Sequence, residues 1–485
     1  MTTYDAGDVT LRKVREHVWE IPQEGDMGAP ARVLASEALL DQISDDRTLQ
    51  QLKNATRLPG VEKHAICMPD GHQGYGFPVG GVAGIDAENG CISPGSVGFD
   101  INCGVRMVRT NLTYEDIAGH ERELVNELFD GVPSGLGGGG VVETDVETVE
   151  AVLDRGLDWA REAGYATAED LAHCEDEGQR EEADSDAVSK KAKDRGKNQL
   201  GSLGSGNHFL EVQRVTDVFR EAVAEAYGLA ENGIVVLIHC GSRGLGHQVC
   251  TDYVRRVEEA YPELVDDLPD KDLAYAPAGS DLAEEYYRAM GAAINFAWVN
   301  RQLITHRTRE AFEEVFDSDS EDLGMALLYD VAHNIAKKEV HTVDGEDEEL
   351  YVHRKGATRA FPAGRPEVPR AYRDVGQPVI IPGSMGAGSY VLRGGESSLG
   401  QTFGSTAHGA GRTMSRTQAK QDFWGEDIRD ELEGQKVFVK AQSGATIAEE
   451  APGVYKDVDE VVMVSEALGI GDTVARTFPV CNIKG

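Results

Sequence analysis

Side chains of the kind that hold metals stand in this chain where apolar runs give way to glycine, and they are scattered from residue 100 to residue 408. They are Asp100 and Cys103 in GFDINCG, His208 in GSGNHFLE, His239 in VVLIHCGSRG, and His333 in YDVAHN, with His408 standing apart in AHGAGR. Carboxylate, thiolate and imidazole bind divalent transition metals, and glycine lets a backbone turn sharply or approach a ligand closely. Length alone suggests about three domains. Convergence of these side chains would overrule that, because most of the chain must then fold as one catalytic unit.

Each residue also has an ordinary structural explanation. Asp100 and Cys103 could be a chelating pair on a tight turn, or a capping aspartate followed by a buried cysteine. His239 ends a strand-like run and feeds a glycine loop, where ligands commonly bind in open sheets; a half-buried structural histidine is the alternative. His208 follows Asn207, and His333 is placed in a helix beside Asn334. For His173, His306 and His341 the expectation is structural. The seven cysteines are odd in number and never form a CxxC pair, which excludes a disulfide framework or zinc ribbon. Six read as small buried hydrophobes; Cys103 is the exception, and its thiolate could bridge two cations. Thiolate and imidazole favour zinc, whereas carboxylate and open positions suit manganese or magnesium, so the residues alone leave the metal open.

Lys and Arg number 47 against 84 Asp and Glu, a net charge of −37. Self-repulsion on that scale weakens a compact state in dilute buffer, and molar salt, with a Debye length of about 3 Å, removes most of it. A halophilic, salt-in cytoplasm, as in a halophilic archaeon, is expected. Such a chain cannot hold nucleic acid through its global field, so any RNA or nucleotide contact must be local. The basic residues do cluster, in HRKGATR (353–359), SRGLGH (242–247), GRTMSR (411–416) and KKAKDRGK (190–197). No apolar run is long enough to cross a bilayer and the start lacks a signal-peptide core, so a soluble cytoplasmic protein is the expectation.

Along the chain, residues 1–60 read as a mixed opening element. MPDGHQGYGFPVGG (68–81) and GVPSGLGGGG (131–140) read as loops, the second of them flexible or approaching phosphate. Helical spacing appears at 146–164, at 215–229, and at 281–316 with a break near Gly291. The charged segment 174–197 reads as a solvated surface loop. Strands are expected at 234–239, on both sides of the loop within 377–392, at 435–444 and at 460–468. The order is irregular, so the fold class is α+β (mixed α/β), with packed sheets flanked by helices in a single unit over 1–485.

Phosphate chemistry has two candidate segments. PGSMGAGS (382–389) offers backbone N–H groups and the hydroxyls of Ser384 and Ser389, though a plain tight turn explains it equally well. No GxxxxGK(S/T) loop occurs, nor a GxGxxG opening a helix. AHGAGR (407–412) is sharper: a histidine among small residues with Arg412 four positions on suits a nucleophile attacking a phosphorus whose charge arginine steadies. No KxDG arrangement occurs, so a nucleotidyl transfer would need another nucleophile, and His408 is the candidate.

Taken together, the motifs resemble the RtcB family of RNA-splicing ligases. The resemblance runs through MPDGHQGYGFPVGG, GSVGFDINCGVR, GSLGSGNHFLEVQ, HCGSRGLGHQV, HNIAKKE, HRKGATRAFPA, VIIPGSMGAGSYVL, TFGSTAHGAGRTMSR, EEAPGVYKDVDEVV and NIKG, from about residue 55 to the end. It implies an RtcB-type fold and a ligase, dependent on GTP and Mn²⁺, that joins RNA 3′-phosphate or 2′,3′-cyclic phosphate ends to 5′-hydroxyl ends in tRNA splicing or RNA repair. By the same resemblance, His408 is guanylylated and Asp70 is linked to that step. Two Mn²⁺ ions would be held by Asp100, Cys103, His208, His239 and His333, with Cys103 bridging. The implied nucleotide contacts are Asn207, His208, Phe209, Leu210 and Glu211, then His333 and Asn334. They continue with Pro382, Gly383, Ser384, Met385 and Ser389, with His408, Gly409, Ala410 and Gly411, and with Tyr455 and Lys484. A small activator, archease, is a family partner.

Within that scheme, Glu211 would accept from guanine N1 and N2, and Lys484 would donate to O6, giving a preference for GTP over ATP. Arg243, Arg354 and Arg412 are the expected local anchors for RNA phosphates. The rival readings are a metal-dependent RNA phosphoesterase that opens cyclic phosphates without ligating, and a non-enzymatic metal-stabilised binding protein.

Overall fold

The computed structural model describes residues 2–135 and 139–485; the centre of GVPSGLGGGG, at 136–138, lies outside them. Two large sheets organise the described chain. The first orders its strands Thr3–Ala6, Val9–Arg15, Val18–Ile21, Ala31–Leu34, Ala65–Tyr75, Phe77–Asp86, Glu346–Lys355 and Asn334–Val343. The second runs Ala326–Ala332, Gly104–Thr113, Gly233–Cys240, Phe209–Val218, Gly471–Lys484, Ser389–Gly394 and Pro378–Ile381, with Phe438–Ala441 pairing alongside Gly471–Lys484. Neighbours are antiparallel except Ala31–Leu34 with Ala65–Tyr75 and Phe438–Ala441 with Gly471–Lys484. Antiparallel neighbours need no crossover helix, which is why the chain lacks a βαβ rhythm. Helices flank the sheets, and the mixed α/β expectation holds.

One of those helices, Asp281–Phe316, is 36 residues long and starts at Ser280, whose hydroxyl accepts from the N–H of Ala283. It is unbroken, so the expected interruption at Gly291 is corrected. Gly291 keeps helical backbone and is small because the chain at Ala183 passes close; a Cβ there would lie 3.3 Å from the Ala183 Cα. From this helix Arg301 reaches into the second sheet.

Other expectations are corrected as well. Residues 68–81 form two paired strands joined at Gly76. Gly71 and Gly80 face one another so tightly that a Cβ on Gly80 would come within 2.8 Å of the Gly71 Cα. The segment 215–229 begins as the end of the strand Phe209–Val218, and only Glu221–Tyr227 is helical. The segment 460–468 lies in the helix Val458–Ala467, capped by the Asp457 side chain. Residues 146–164 are helical as expected, divided at Gly156, whose φ is +50°. The charged segment 174–197 is not a loop throughout: Lys190–Gly196 is a helix capped by Ser189, and the segment buries Glu175 and Lys193, with Glu175 paired to Lys337 at 2.8 Å. Among the described residues no helix is long and apolar enough to cross a membrane.

Candidate active site

The second sheet explains why ligands so far apart in sequence meet. In an antiparallel sheet the start of one strand lies beside the end of the next. Five adjacent strands present Ala332, Gly104, Cys240, Phe209 and Lys484 at one edge: Ala332 and Cys240 both pair with Gly104, His239 pairs with Phe209, and Phe209 with Lys484. Cys103 immediately precedes Gly104 and Asp100 lies three residues before Cys103, His208 precedes Phe209, and His239 precedes Cys240. His333 is the single residue between Ala332 of the second sheet and Asn334 of the first. It is not helical, as the sequence suggested; it stands where the chain passes from one sheet to the other.

The ligand atoms form two triads that share one thiol. Asp100, Cys103 and His208 make one, and Cys103, His239 and His333 the other, with the ligand atoms of each within 4.8 Å of one another. Cys103 Sγ lies 3.5 Å from His208 Nε2 and 3.3 Å from His239 Nε2, and His239 Nε2 lies 3.3 Å from His333 Nε2. His208 Nε2 is 3.0 Å from Asp100 Oδ2. Its Nδ1 faces the Leu203 carbonyl at 3.0 Å, an outer contact that fixes the ring and leaves Nε2 to a metal. Burial, with Asp100 adding to it, pushes the Cys103 thiol up to about 11, whereas a cation would hold it as thiolate. Burial and neighbouring imidazoles hold His239 and His333 well below the ordinary histidine range, the uncharged form that ligates. This donor set fits two divalent cations sharing Cys103.

His408 follows the short strand Ser405–Ala407, and its ring centroid lies 4.8 Å from that of His333. Asp70 Oδ2 accepts from His408 Nδ1 at 2.6 Å, from the His408 backbone N–H at 2.9 Å and from the Gly409 N–H at 3.2 Å. Burial would raise the Asp70 carboxyl, but the His408 imidazole and backbone N–H outweigh it and hold it below its ordinary value. Three donors on one carboxylate oxygen fix the ring and commit Nδ1, so Nε2 is the nitrogen left for chemistry.

A cavity of about 330 Å³ joins the triads to His408. Asn207, Phe209, Asn334, Pro382, Gly383 and Ser384 line it, as do Gly409 to Gly411, Tyr455 and Lys484. Lys484 Nζ sits 4.6 Å above the Phe209 ring. Behind Phe209, Glu211 is buried and accepts from the side-chain amides of Gln213 and Asn482, while Asn482 Oδ1 has no partner. Ser389 is also buried, and its Oγ accepts from the Gly383 N–H at 3.3 Å. Leu210 and Met385 send their side chains into two apolar clusters, so neither side chain reaches the cavity.

The three arginines part company. Arg412 lines the cavity, with Nη1 3.0 Å from Glu450 and Nη2 donating to the Glu449 carbonyl. Arg243 lies outside the lining; its backbone N–H donates to Asp100 Oδ1 at 3.1 Å, and its side chain crosses Gly204. Arg354 is a correction: it is wholly buried, bound to both oxygens of Glu339 and to the Phe403 carbonyl, and has no surface to offer RNA. His173, His306 and His341 are structural as expected, facing the Glu169 carbonyl, Glu310 and Glu339.

Sequence reasoning passed over Lys355 and Arg416, both of which line the cavity. Lys355 Nζ donates to the Tyr75 and Gly95 carbonyls at 2.6 and 2.9 Å, and burial brings it down to about 8. Both lie in the basic clusters 353–359 and 411–416, the signal that could have singled them out. The seven cysteines are all buried and free.

Fold and site together define a mixed α/β protein with a cysteine-bridged candidate two-metal centre beside a carboxylate-held histidine. The family description tRNA-splicing ligase RtcB matches residues 51–485, and the chain belongs to that family. The tRNA-splicing ligase RtcB of Thermococcus kodakarensis is 54% identical over 478 residues, covering 98% of this chain and 99% of its own. The proteins of the same name from Aeropyrum pernix and Nanoarchaeum equitans are 52% and 50% identical, each over at least 98% of both chains.

Proposed function

We propose that this chain is an RNA ligase, using GTP and Mn²⁺, that joins 3′-phosphate or 2′,3′-cyclic phosphate ends to 5′-hydroxyl ends through a histidine–GMP intermediate. Exon halves of tRNA are the proposed main substrate and the cytoplasm the proposed place of action. The observation that carries the reading is His408, held by Asp70 and set 4.8 Å, ring to ring, from a ligand of the shared-thiol pair of triads.

Asp100, Cys103, His208, His239 and His333 would hold the two cations, which when bound supply positive charge to phosphate oxygens. His408 Nε2 attacks the α-phosphorus of GTP as an unprotonated nitrogen; a P–N bond forms and pyrophosphate leaves. Asp70 keeps the ring aimed and stabilises the charge it gains. The guanylyl group then passes to the RNA 3′-phosphate, giving a diphosphate from which the 5′-hydroxyl displaces GMP. Phe209 and Lys484 would cover the guanine, and Glu211, once freed from Gln213 and Asn482, would accept from its N–H donors. Arg412 and Arg243 remain the proposed phosphate contacts. Archease stimulation belongs to the same proposal and is read as multiple-turnover ligation with and without that protein.

Incubation with labelled GTP and Mn²⁺ tests the reading. An acid-labile protein–GMP adduct is expected, absent from His408→Ala. A phosphoesterase would open cyclic phosphates with no adduct, and a binding protein would turn over neither substrate.

A further inference from the structure

One exposed feature of the cavity rim has no part in holding metal or nucleotide. Tyr75, at the tip of the hairpin joining Ala65–Tyr75 to Phe77–Asp86, is 67% exposed. Among the exposed large apolar side chains of the described residues (Val14, Tyr75, Phe219, Val340, Trp424 and Met463), it is the one that lines the cavity. Its ring meets Phe99 edge-on, with centroids 6.0 Å apart at 87°. Phe99 in turn lies against His247, 5.0 Å away at 32°. The three rings come from three separate segments and form a row that starts at the cavity and ends at the exposed His247 of the helix Arg243–Ala260. Lys355 anchors the backbone of the hairpin tip by donating to the Tyr75 carbonyl.

We propose that Tyr75, Phe99 and His247 form a stacking platform for the unpaired bases next to the broken RNA ends. This rests on the ligase reading, which brings single-stranded ends to the adjoining cavity. Two physical points favour bases as the occupant. A chain with a net charge of −37 repels polyanions at long range, and salt high enough to screen that repulsion also screens contacts to phosphate. Stacking of bases on aromatic rings survives salt and tolerates any sequence. Arg195 stands at the far end, with its Nη1 donating to Gln248 beside His247, so one local cation closes the row.

The test is fluorescence anisotropy of a short 3′-phosphate RNA at 0.5 M and 2 M KCl, with no GTP added, for the full-length protein and for Tyr75→Ala, Tyr75→Phe and His247→Ala. A matching RNA carries abasic sites at the nucleotides nearest the end. Tyr75→Ala is expected to bind intact RNA about tenfold more weakly at both salts, the scale of one lost stack. Tyr75→Phe should bind like the parent, and the abasic RNA should bind parent and Tyr75→Ala equally weakly. Adduct formation with GTP should persist in all three variants. The platform is refuted if Tyr75→Ala binds intact RNA like the parent, or keeps the parent's full preference for intact over abasic RNA. It is equally refuted if the variant loses only stimulation by a protein partner. Because the binding assay uses no GTP, missing adduct with intact abasic discrimination would sink the ligase reading and leave the platform standing.

Discussion

Two buried polar clusters lie back to back in the second sheet, and they are built on opposite principles. In the metal centre Cys103 Sγ lies within 3.5 Å of His208 and His239, and His239 within 3.3 Å of His333; burial opposes a charge on His208, but Cys240, Cys103 and Asp100 raise it well above the ordinary histidine range. One layer behind, Asp330 lies between two arginines, Arg106 Nε at 2.7 Å and Arg301 Nη2 at 2.8 Å, all three with no exposed surface. Burial would raise the Asp330 carboxyl, but Arg301 and Arg106 overcome it and hold it below the ordinary range. Arg301 also donates to the carbonyls of Cys240 and Asn102, next to metal ligands in the chain. The rear cluster therefore pairs its charges internally, one Arg106 nitrogen apart, and braces the backbone beside the front one, whose thiol, imidazoles and carboxylate are the donors that hold divalent cations.

The strongest way to break that comparison is to remove a partner from each side. Asp330→Ala strands two buried guanidiniums and should cost about 3–5 kcal/mol in urea unfolding with chelator present. Cys103→Ala should change metal-free stability by about 1 kcal/mol, yet abolish the stabilisation that added Mn²⁺ gives the parent. Equal losses in the two variants would mean that the clusters do not divide support from binding.

The same contrast explains what could be read from the sequence. Cys103, His208, His239 and His408 were legible because each lies within two residues of a glycine at the end of a strand, and the need to gather them made a single unit legible too. Asp330, Arg301 and Arg106 were not, since a buried ion pair looks like any surface charge until the chain is folded. Glu175 was hidden in the same way within a segment that reads as solvated. The hairpin at 68–81 was misread because its glycines, which usually break strands, are required here by the approach of Gly71 to Gly80 beside Asp70. Val461, Val462 and Val464 suggested a strand, but the burial of Val458, Val461, Val462 and Ser465 follows a helical face, and packing overrode β-propensity.

Salt separates exposed from buried charge more gently. If −37 is an adaptation to molar salt, the thermal midpoint should rise between 0.1 M and 2 M KCl by at least about 2–4 °C, the size of an ordinary single substitution. Asp330→Ala should gain as much as the parent, because the rear cluster is out of reach of solvent ions. A midpoint that stays level, with level activity, would remove the halophilic reading.

The finest test concerns Glu211, a carboxylate that belongs to neither extreme. Burial pushes it up to about 7, with Lys484, Gln213 and Asn482 pulling the other way. An acid raised in the folded state contributes stability that is complete below its unfolded value of about 4.3 and is lost as pH rises through about 7. The ionised form that guanine needs is thus the one that burial disfavours. GTP affinity, measured with Mn²⁺ by equilibrium binding, should climb about fivefold from pH 6 to pH 7 and about twofold more by pH 8, levelling off above that. Metal binding is itself pH-dependent, so the parent must be compared with Glu211→Gln, which should lose both this part of the slope and the preference for GTP over ATP. If Glu211→Gln keeps both, guanine is recognised elsewhere, and Glu211 belongs with Asp330 among the groups whose pairing is already complete.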